Sequence, residues 1–440
     1  MNDDCIVIES VGPLHGQASL VGAKNAVLVT MAATLLTEGV STLTNVPVSA
    51  DVTYMIALLE SMGAHVAFDV IRRTLTIDTT TVNRFEVSPD LMKKMRASIL
   101  VMGPLLARFG RARVVLPGGC TIGARPIDFH IKNFKKIGVQ FTQIDDLLHA
   151  QTTGLQATRI ALEYPSVGAT ENILLAATLC QGVTTIVNAA IEPEVFDLVT
   201  VLRAMGANIA IQAPATIVIT GVSSLRPFTH DVMVDRLEAG ALLLAGAISG
   251  GSVEVVNARA EDMDVFLMKL QEMGHRIDIG VNGIGVRVTA TPLPEAVSFK
   301  TSPYPGFPTD LQAPMMAAQC IANGICEISE TVFENRFLHV RELQKMGAQI
   351  KYVCGDKVQI KGVTALYGMP VIASDIRASC ALVLAGLVAK GKTVMTGMNH
   401  WRRGYDKLED KFTALGARVS IEKGAHVMNP IDRLTTSITD

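Results

Sequence analysis

The chain has little aromatic mass, with 14 Phe, 6 Tyr and 1 Trp making 5% of 440 residues. Its apolar share of 49% therefore rests on Ala, Val, Leu, Ile and Met, while charged residues supply only 18%. That balance excludes intrinsic disorder. Long apolar runs are also missing. The longest are Ala26–Leu36, Ile99–Ala107, Ala239–Ile248 and Ala381–Ala389, all well short of the roughly 20 residues that cross a bilayer. They predict buried helices and no membrane partner, despite a mean hydropathy of +0.35. No excess of either charge exists, because 39 basic and 41 acidic residues leave a net −2. No global field favours nucleic acid or anionic lipid, so any anion site must be local. The seven cysteines are odd in number and form no CxxC pair, which argues against a disulfide framework and a zinc ribbon. The histidines lack metal-ligand spacing and no GxSxG is present; a metal site, serine hydrolysis and a nucleoside-triphosphate phosphate loop are not expected. The start Met1-Asn2-Asp3-Asp4-Cys5 carries two acids where an export signal needs positive charge, which predicts a cytoplasmic chain.

What the chain does have is a repeat. One signature occurs six times, as Leu59-Glu-Ser-Met-Gly63, Phe134-Lys-Lys-Ile-Gly138, Leu202-Arg-Ala-Met-Gly206, Leu270-Gln-Glu-Met-Gly274, Leu343-Gln-Lys-Met-Gly347 and Phe412-Thr-Ala-Leu-Gly416. The glycines lie 75, 68, 68, 73 and 69 residues apart. Each segment has the form of a helix end with glycine in the left-handed cap, followed by alternating strand residues. A second signature, such as Gly39-Val-Ser-Thr-Leu-Thr-Asn45 or Gly182-Val-Thr-Thr-Ile-Val-Asn188, stands upstream and reads as cap, then strand. A unit of roughly 70 residues is therefore an apolar helix, a strand, a polar-faced helix and two more strands. An apolar helix must be covered on all sides, which places it inside the fold. Six units predict an α/β chain of two three-unit domains, spanning 22–230 and 231–424, with 1–21 joined to the second and 425–440 left as a tail. The break Ser223–Thr229 marks the boundary, and the strand Cys5–Glu9 is expected to complete the other domain's sheet.

The inner helices begin at Gly22-Ala-Lys24-Asn25, Arg96-Ala-Ser98, Ser166-Val-Gly168, Asp235-Arg236-Leu-Glu238, Thr309-Asp310 and Asp375-Ile-Arg377. Equivalent units aim equivalent helices the same way, gathering positive dipole ends at one pole that attracts phosphate. Acids and serines at such starts are ordinary caps, and Ser98 and Asp235 are taken as such. Basic residues there oppose the dipole, so Lys24 and Arg96 are expected to face a ligand. The loop Leu116-Pro-Gly-Gly-Cys120-Thr-Ile-Gly-Ala-Arg125-Pro126 sets a thiol among three glycines with an arginine five residues on, the setting of a nucleophile or proton donor. Arg336 and Arg402-Arg403 stand beside aromatics and glycine, and arginine is suited to a bidentate grip on carboxylate or phosphate.

Gly22-Ala-Lys-Asn-Ala26, Lys94-Met-Arg-Ala-Ser98, Leu116–Pro126, Ser166-Val-Gly-Ala-Thr170, Phe307-Pro-Thr-Asp310, Glu330–Arg336 and Arg403-Gly-Tyr405 together resemble the UDP-N-acetylglucosamine 1-carboxyvinyltransferase family, from about residue 6 to 424. The repeat alone would equally suit enolpyruvylshikimate-phosphate synthases. The resemblance implies two domains, each of three βαβαββ units in an inside-out barrel with buried helices, closing on two substrates. It implies transfer of the enolpyruvyl group of phosphoenolpyruvate to the sugar 3-hydroxyl with release of phosphate, in peptidoglycan synthesis, without metal or organic cofactor. Carried over by position, Cys120 is the loop acid or covalent partner and Asp310 takes the hydroxyl proton. Lys24, Arg125 and Arg403 surround phosphoenolpyruvate, supported by Arg96, Arg336 and Asp375. Asn25, Pro126, Ile127, Phe129, Ser166, Val167, Gly168 and Val332 hold the UDP-sugar. Two departures stand out: Tyr164 where the family has lysine near the nucleotide, and Ile191 where it has arginine, with Trp401-Arg402 a further change before Arg403. They leave open a different nucleotide acceptor, or a non-catalytic UDP-sugar-binding protein. Oligomeric state is not legible.

Overall fold

A computed structural model describes residues 4–86, 95–115, 127–145 and 147–423. The Cys120 loop and the 425–440 tail lie outside the described residues, as does the side chain of Arg96. The fold is mixed α/β, and the described residues form five four-stranded sheets and one three-stranded sheet. In the three-stranded sheet Glu86 bridges Arg113 in parallel, where the fourth strand would run.

The expected unit is visible in the first repeat. The helix Lys24–Ala33 leads to the strand Val40–Thr44, the helix Ala50–Ser61, and the strands His65–Asp69 and Thr74–Asp78. Strands of this kind bury every second residue. Val40–Thr44, Val183–Val187 and Ile325–Ser329 each turn two residues inward, among them Leu43, Ile186 and Ile328. The other face stays polar or half-exposed, which is the alternation a one-sided sheet requires.

The inner helices are buried around their whole circumference, as in Arg236–Ile248 and Arg377–Leu387, so their apolar composition has no polar stripe to spare. Small residues let them approach. A Cβ on Gly240 would meet Leu311 side-chain carbons at 2.7 Å, and one on Gly103 would meet the Asn172 carbonyl oxygen at 2.4 Å. Asn172 also ties two inner helices together, accepting from the Gly103 N–H at 2.7 Å and donating to the Ile99 carbonyl at 2.9 Å. Both bonds satisfy amide groups that burial would otherwise leave at a cost of about 1–3 kcal/mol.

Two hydrophobic cores result. One gathers residues between Ala23 and Val232; the other gathers Ile6 to Leu20 with Leu237 to Val419. Cys5–Glu9 pairs antiparallel with Lys392–Thr396 and Arg418–Glu422, and so supplies the strand that the sixth repeat itself lacks. His15–Ala18 joins Ser252–Arg259 in parallel, and Thr229–Asp231 joins Val40–Thr44. The chain passes from the first core to the second between Val232 and Leu237, a few residues after the break at 223–229. That break is followed by one more short strand of the first core. The outgoing and returning passages lie side by side: Ala23 N–H donates to the Met233 carbonyl at 2.7 Å and Asp235 N–H to the Val21 carbonyl at 3.0 Å.

All six signature glycines have positive φ, between +91° and +107°. This is the left-handed cap conformation that L side chains rarely adopt. Two of them separate backbone strain from crowding. A Cβ on Gly206 would meet no atom within 4 Å, whereas one on Gly63 would lie 2.8 Å from the Thr81 carbonyl oxygen. In urea denaturation Gly206→Ala is expected to cost about 1–2 kcal/mol, and Gly63→Ala clearly more. Equal losses, or none, would contradict this account of the repeat.

Candidate active site

A cavity of about 1010 Å³ opens between the two cores, and the starts of all six inner helices line it. They contribute Lys24 and Asn25, Ala97 and Ile99, Ser166 to Gly168, Arg236 and Leu237, Thr309 and Asp310, and Asp375 to Arg377. Unpaired backbone N–H groups at these ends make a positive pole without any net charge on the protein. Three starts are closed by side chains: Ser166 accepts from Ala169 N–H, Asp235 from Leu237 and Glu238 N–H, and Asp375 from Arg377 and Ala378 N–H. Ser98 is not a cap. It sits inside the turn Arg96–Val101 and its hydroxyl donates to the Met95 carbonyl at 2.5 Å.

Two carboxylates organise the cations at this pole. Asp51, on the outer helix Ala50–Ser61, accepts from Lys24 Nζ at 3.4 Å and from Arg403 Nε at 2.7 Å. It thereby joins residues of the two cores. Asp310 lies between two guanidinium groups, accepting from Arg336 Nη2 and Arg377 Nη2, both at 2.8 Å. Arg377 also donates to the Tyr405 hydroxyl at 3.2 Å. Glu330 fixes the neighbouring loop: its carboxylate accepts from Thr301 and Thr309 hydroxyls and from Val332 and Phe333 N–H groups. Thr309 is thus held beside Asp310 by a second carboxylate of the same cavity.

Burial would raise the Asp310 carboxyl, but Arg377 and Arg336, with Lys24 behind them, hold it well below the usual carboxylate range. Burial pulls the Lys24 ammonium down, against Asp51, which opposes the shift, and in concert with Arg377 and Arg403. At the far side, burial pushes the Tyr164 phenol up to about 12, helped by Glu192 and Glu330. The cavity is therefore polarised, with guanidinium and ammonium groups around Asp310 and carboxyls around Tyr164.

Of the sequence candidates, Lys24, Asn25, Ile127, Phe129, Ser166, Val167, Gly168, Asp310, Val332, Arg336, Asp375 and Arg403 all line this one cavity. Arg96 starts the turn that borders it, and Cys120, Arg125 and Pro126 lie outside the described residues. Tyr164 lines it, while Ile191, Trp401 and Arg402 do not. Trp401 is buried with its indole N–H on Glu409 at 2.7 Å, and Arg402 pairs with Asp4 at 2.6 Å. Sequence reasoning missed Asp51, Arg377, Glu171, Glu192, Glu194 and Arg236. Arg377 and Arg236 were visible as helix starts; Asp51 reads as an ordinary first-turn acid, and only folding brings Arg403 to it.

One pattern reads against expectation. Gly386-Leu-Val-Ala-Lys-Gly391-Lys392-Thr393 spells the GxxxxGK[ST] of a phosphate loop. The structure places Gly386 inside the helix Ile376–Val388 and Lys392-Thr393 in the following strand. A phosphate loop runs from strand to helix, so that backbone N–H groups face the ligand; here the order is reversed and no cradle forms. Among the described residues no group of three or more His, Cys, Asp or Glu is placed to hold a metal ion, and no helix is long and apolar enough to cross a membrane.

Comparison with known proteins meets this geometry. A family model described as EPSP synthase (3-phosphoshikimate 1-carboxyvinyltransferase) matches residues 8–412. The chain is 45% identical over 416 residues to a UDP-N-acetylglucosamine 1-carboxyvinyltransferase of Geobacter metallireducens, covering 94% of this chain and 99% of the relative. It is 46% identical over 418 residues to the protein of that name in Cereibacter sphaeroides, covering 94% and 99%. Its fold is similar to the enolpyruvyl transferase NikO from Streptomyces tendae, with a TM-score of 0.87 at 24% identity over 97% of this chain and 100% of that one. An EPSP synthase of Acinetobacter baumannii superposes with a TM-score of 0.72 at 15% identity over 96% and 100%.

The shared carboxylate Asp51 gives a direct test of the electrostatics. With Asp51→Asn, Lys24 loses the group that holds its pKa up, so it deprotonates at lower pH. Inorganic phosphate titrated calorimetrically across the alkaline range should then lose affinity at a lower pH than with the unaltered protein, even if binding at neutral pH strengthens. An unchanged or higher midpoint would contradict the pairing.

Proposed function

The chain belongs to the EPSP synthase family of carboxyvinyltransferases, and from that premise we propose that it transfers the enolpyruvyl group of phosphoenolpyruvate to the 3-hydroxyl of UDP-N-acetylglucosamine, releasing phosphate. Identity of 45–46% over about 94% of the chain with proteins of that activity supports this acceptor over another nucleotide. The observation that carries the chemistry is Asp310, ionised between Arg336 and Arg377 in the cavity that also holds Lys24 and Arg403.

In this reading the two cores are two domains, each an inside-out barrel of three βαβαββ units, that close on both substrates. Phosphoenolpyruvate brings about three negative charges to the helix starts, where fixed cations and N–H groups favour charge as it develops. The sugar hydroxyl oxygen adds to C2 of phosphoenolpyruvate while its proton passes to Asp310, and Cys120 supplies a proton to C3, giving a tetrahedral phospholactoyl intermediate. Loss of a methyl proton and of phosphate then restores the double bond as an enol ether. In the free protein Asp310 is too strongly held by Arg336 and Arg377 to be a good base. The anionic substrate draws those guanidinium groups toward itself, and Asp310 becomes more basic at the moment the acceptor is in place. Ser166, Val167 and Gly168 offer a capped helix start to the diphosphate, with Phe129 and Ile127 beside it. Six described cysteines are thiols without a disulfide, which supports a reducing, cytoplasmic setting.

A phosphate-release assay tests the reading. Release is expected only when phosphoenolpyruvate and UDP-N-acetylglucosamine are both present. Asp310→Asn should lower kcat by about 10²–10⁴-fold, and Cys120→Ala should abolish turnover. Full rates in both variants, or release with phosphoenolpyruvate alone, would refute it.

A further inference from the structure

The carboxyl-rich side of the cavity lies where the two cores meet. Arg236, at the start of a second-core helix, bonds Glu194 of the first-core helix Pro193–Met205 through Nε at 3.0 Å and Nη2 at 3.1 Å. This is a bidentate pair with side chains 9% and 4% exposed. Next to it Glu192 accepts from the Tyr304 N–H of the second core at 3.4 Å through Oε1, while its buried Oε2 has no partner. Glu171, on the inner helix Val167–Ala177, is 4% exposed, and no described cation pairs with it.

Most other described charged groups around this seam have partners. Asp262 lies 3.7 Å from Arg259, which also pairs with Glu261, although its buried Oδ2 accepts no hydrogen bond and burial raises its carboxyl in every variant alike. Asp235 caps its helix, Glu330 holds the Thr309 loop, and His130 faces Asn172 at 3.1 Å. Arg236 gives its bidentate pair to Glu194 and only a longer-range attraction to Glu192, so among the described residues neither Glu171 nor Glu192 has an ion pair of its own. A buried carboxylate oxygen with no hydrogen bond costs several kcal/mol when ionised.

We infer that Glu171, Glu192, Glu194 and Arg236 form a proton-dependent latch between the two halves, in which closing the seam takes up protons onto Glu171 and Glu192 and losing those protons opens it. Burial raises the carboxyls of both residues and neighbouring Glu194 adds to it; at Glu192 the Tyr304 N–H and Arg236 oppose the shift without cancelling it. The sign follows. In the open, solvated form these groups titrate in the ordinary carboxylate range, around pH 4; in the closed form they titrate higher. Closure is therefore at full strength below that range and weakens as pH rises above it. Each proton taken up makes the closing equilibrium about tenfold less favourable per pH unit until the closed-state value is passed.

Small-angle scattering of the free, full-length protein at about pH 5.5 and about pH 8.5 tests the latch. The radius of gyration should grow at the higher pH, and E171Q/E192Q should stay compact at both. Glu238, on the helix of Arg236, is also pushed up to about 7 by burial; it is present in every variant, so the comparison isolates the seam. Glu194→Gln, which breaks the bidentate pair, should be expanded at both pH values while circular dichroism stays native. A constant radius in the unaltered protein, growth in E171Q/E192Q equal to that of the unaltered protein, or a compact E194Q would overturn the inference. No substrate is used, so failure here leaves the transferase reading untouched.

Discussion

A cation taken out of water needs a carboxylate, and a carboxylate shared between two cations belongs fully to neither. Lys24 and Arg403 share Asp51, and Arg336 and Arg377 share Asp310. Each cation therefore has a counter-charge in a largely buried place, where an unpaired charge would destabilise the fold. Each also stays incompletely satisfied, and an arriving anion can take part of its attention. The Asp51 pair joins residues from the two cores, so the same bonds that would prepare the proposed anion site also link the two sides of the cleft.

The repeat is what makes this arrangement possible. Six helices that are apolar on every side must be enclosed, and enclosure by sheets leaves only their ends at the surface of each core. Their starts meet in one cavity, which makes it positive although the whole chain carries a net −2. Two adjacent strand passages, near 21–23 and 233–235, are the covalent connections between the halves. With few chain crossings at that point, the rest of the contact rests on side-chain pairs such as Glu194 with Arg236.

The period, the left-handed glycine caps and the buried helices were legible because they are local: a glycine at positive φ or a helix without a polar stripe leaves its mark within a few residues. The candidates at helix starts were legible for the same reason, and Lys24, Asn25, Ser166, Val167, Gly168, Asp310 and Asp375 among them line the cavity. Asp51 was not, since an acid in a first turn has an ordinary explanation and Arg403 lies 352 residues away. Glu171 and Glu192 were hidden because only the meeting of the two cores removes their water. Ser98 shows the opposite failure, a residue of capping type that is the third residue of the turn Arg96–Val101. The phosphate-loop spelling at Gly386–Thr393 shows that a motif without its strand-to-helix order carries no site.

The account turns on Asp310 being a weak base in the free protein and a stronger one once the anion has engaged Arg336 and Arg377. Carboxyl ¹³C chemical shifts of aspartate-labelled protein, with Asp310 assigned through Asp310→Asn, measure this directly across an acid titration. The free protein should keep Asp310 ionised well below the usual carboxylate range, and saturating phosphoenolpyruvate should move its titration upward. An Asp310 that titrates in the ordinary range without ligand, or whose titration phosphoenolpyruvate leaves in place, would contradict the account.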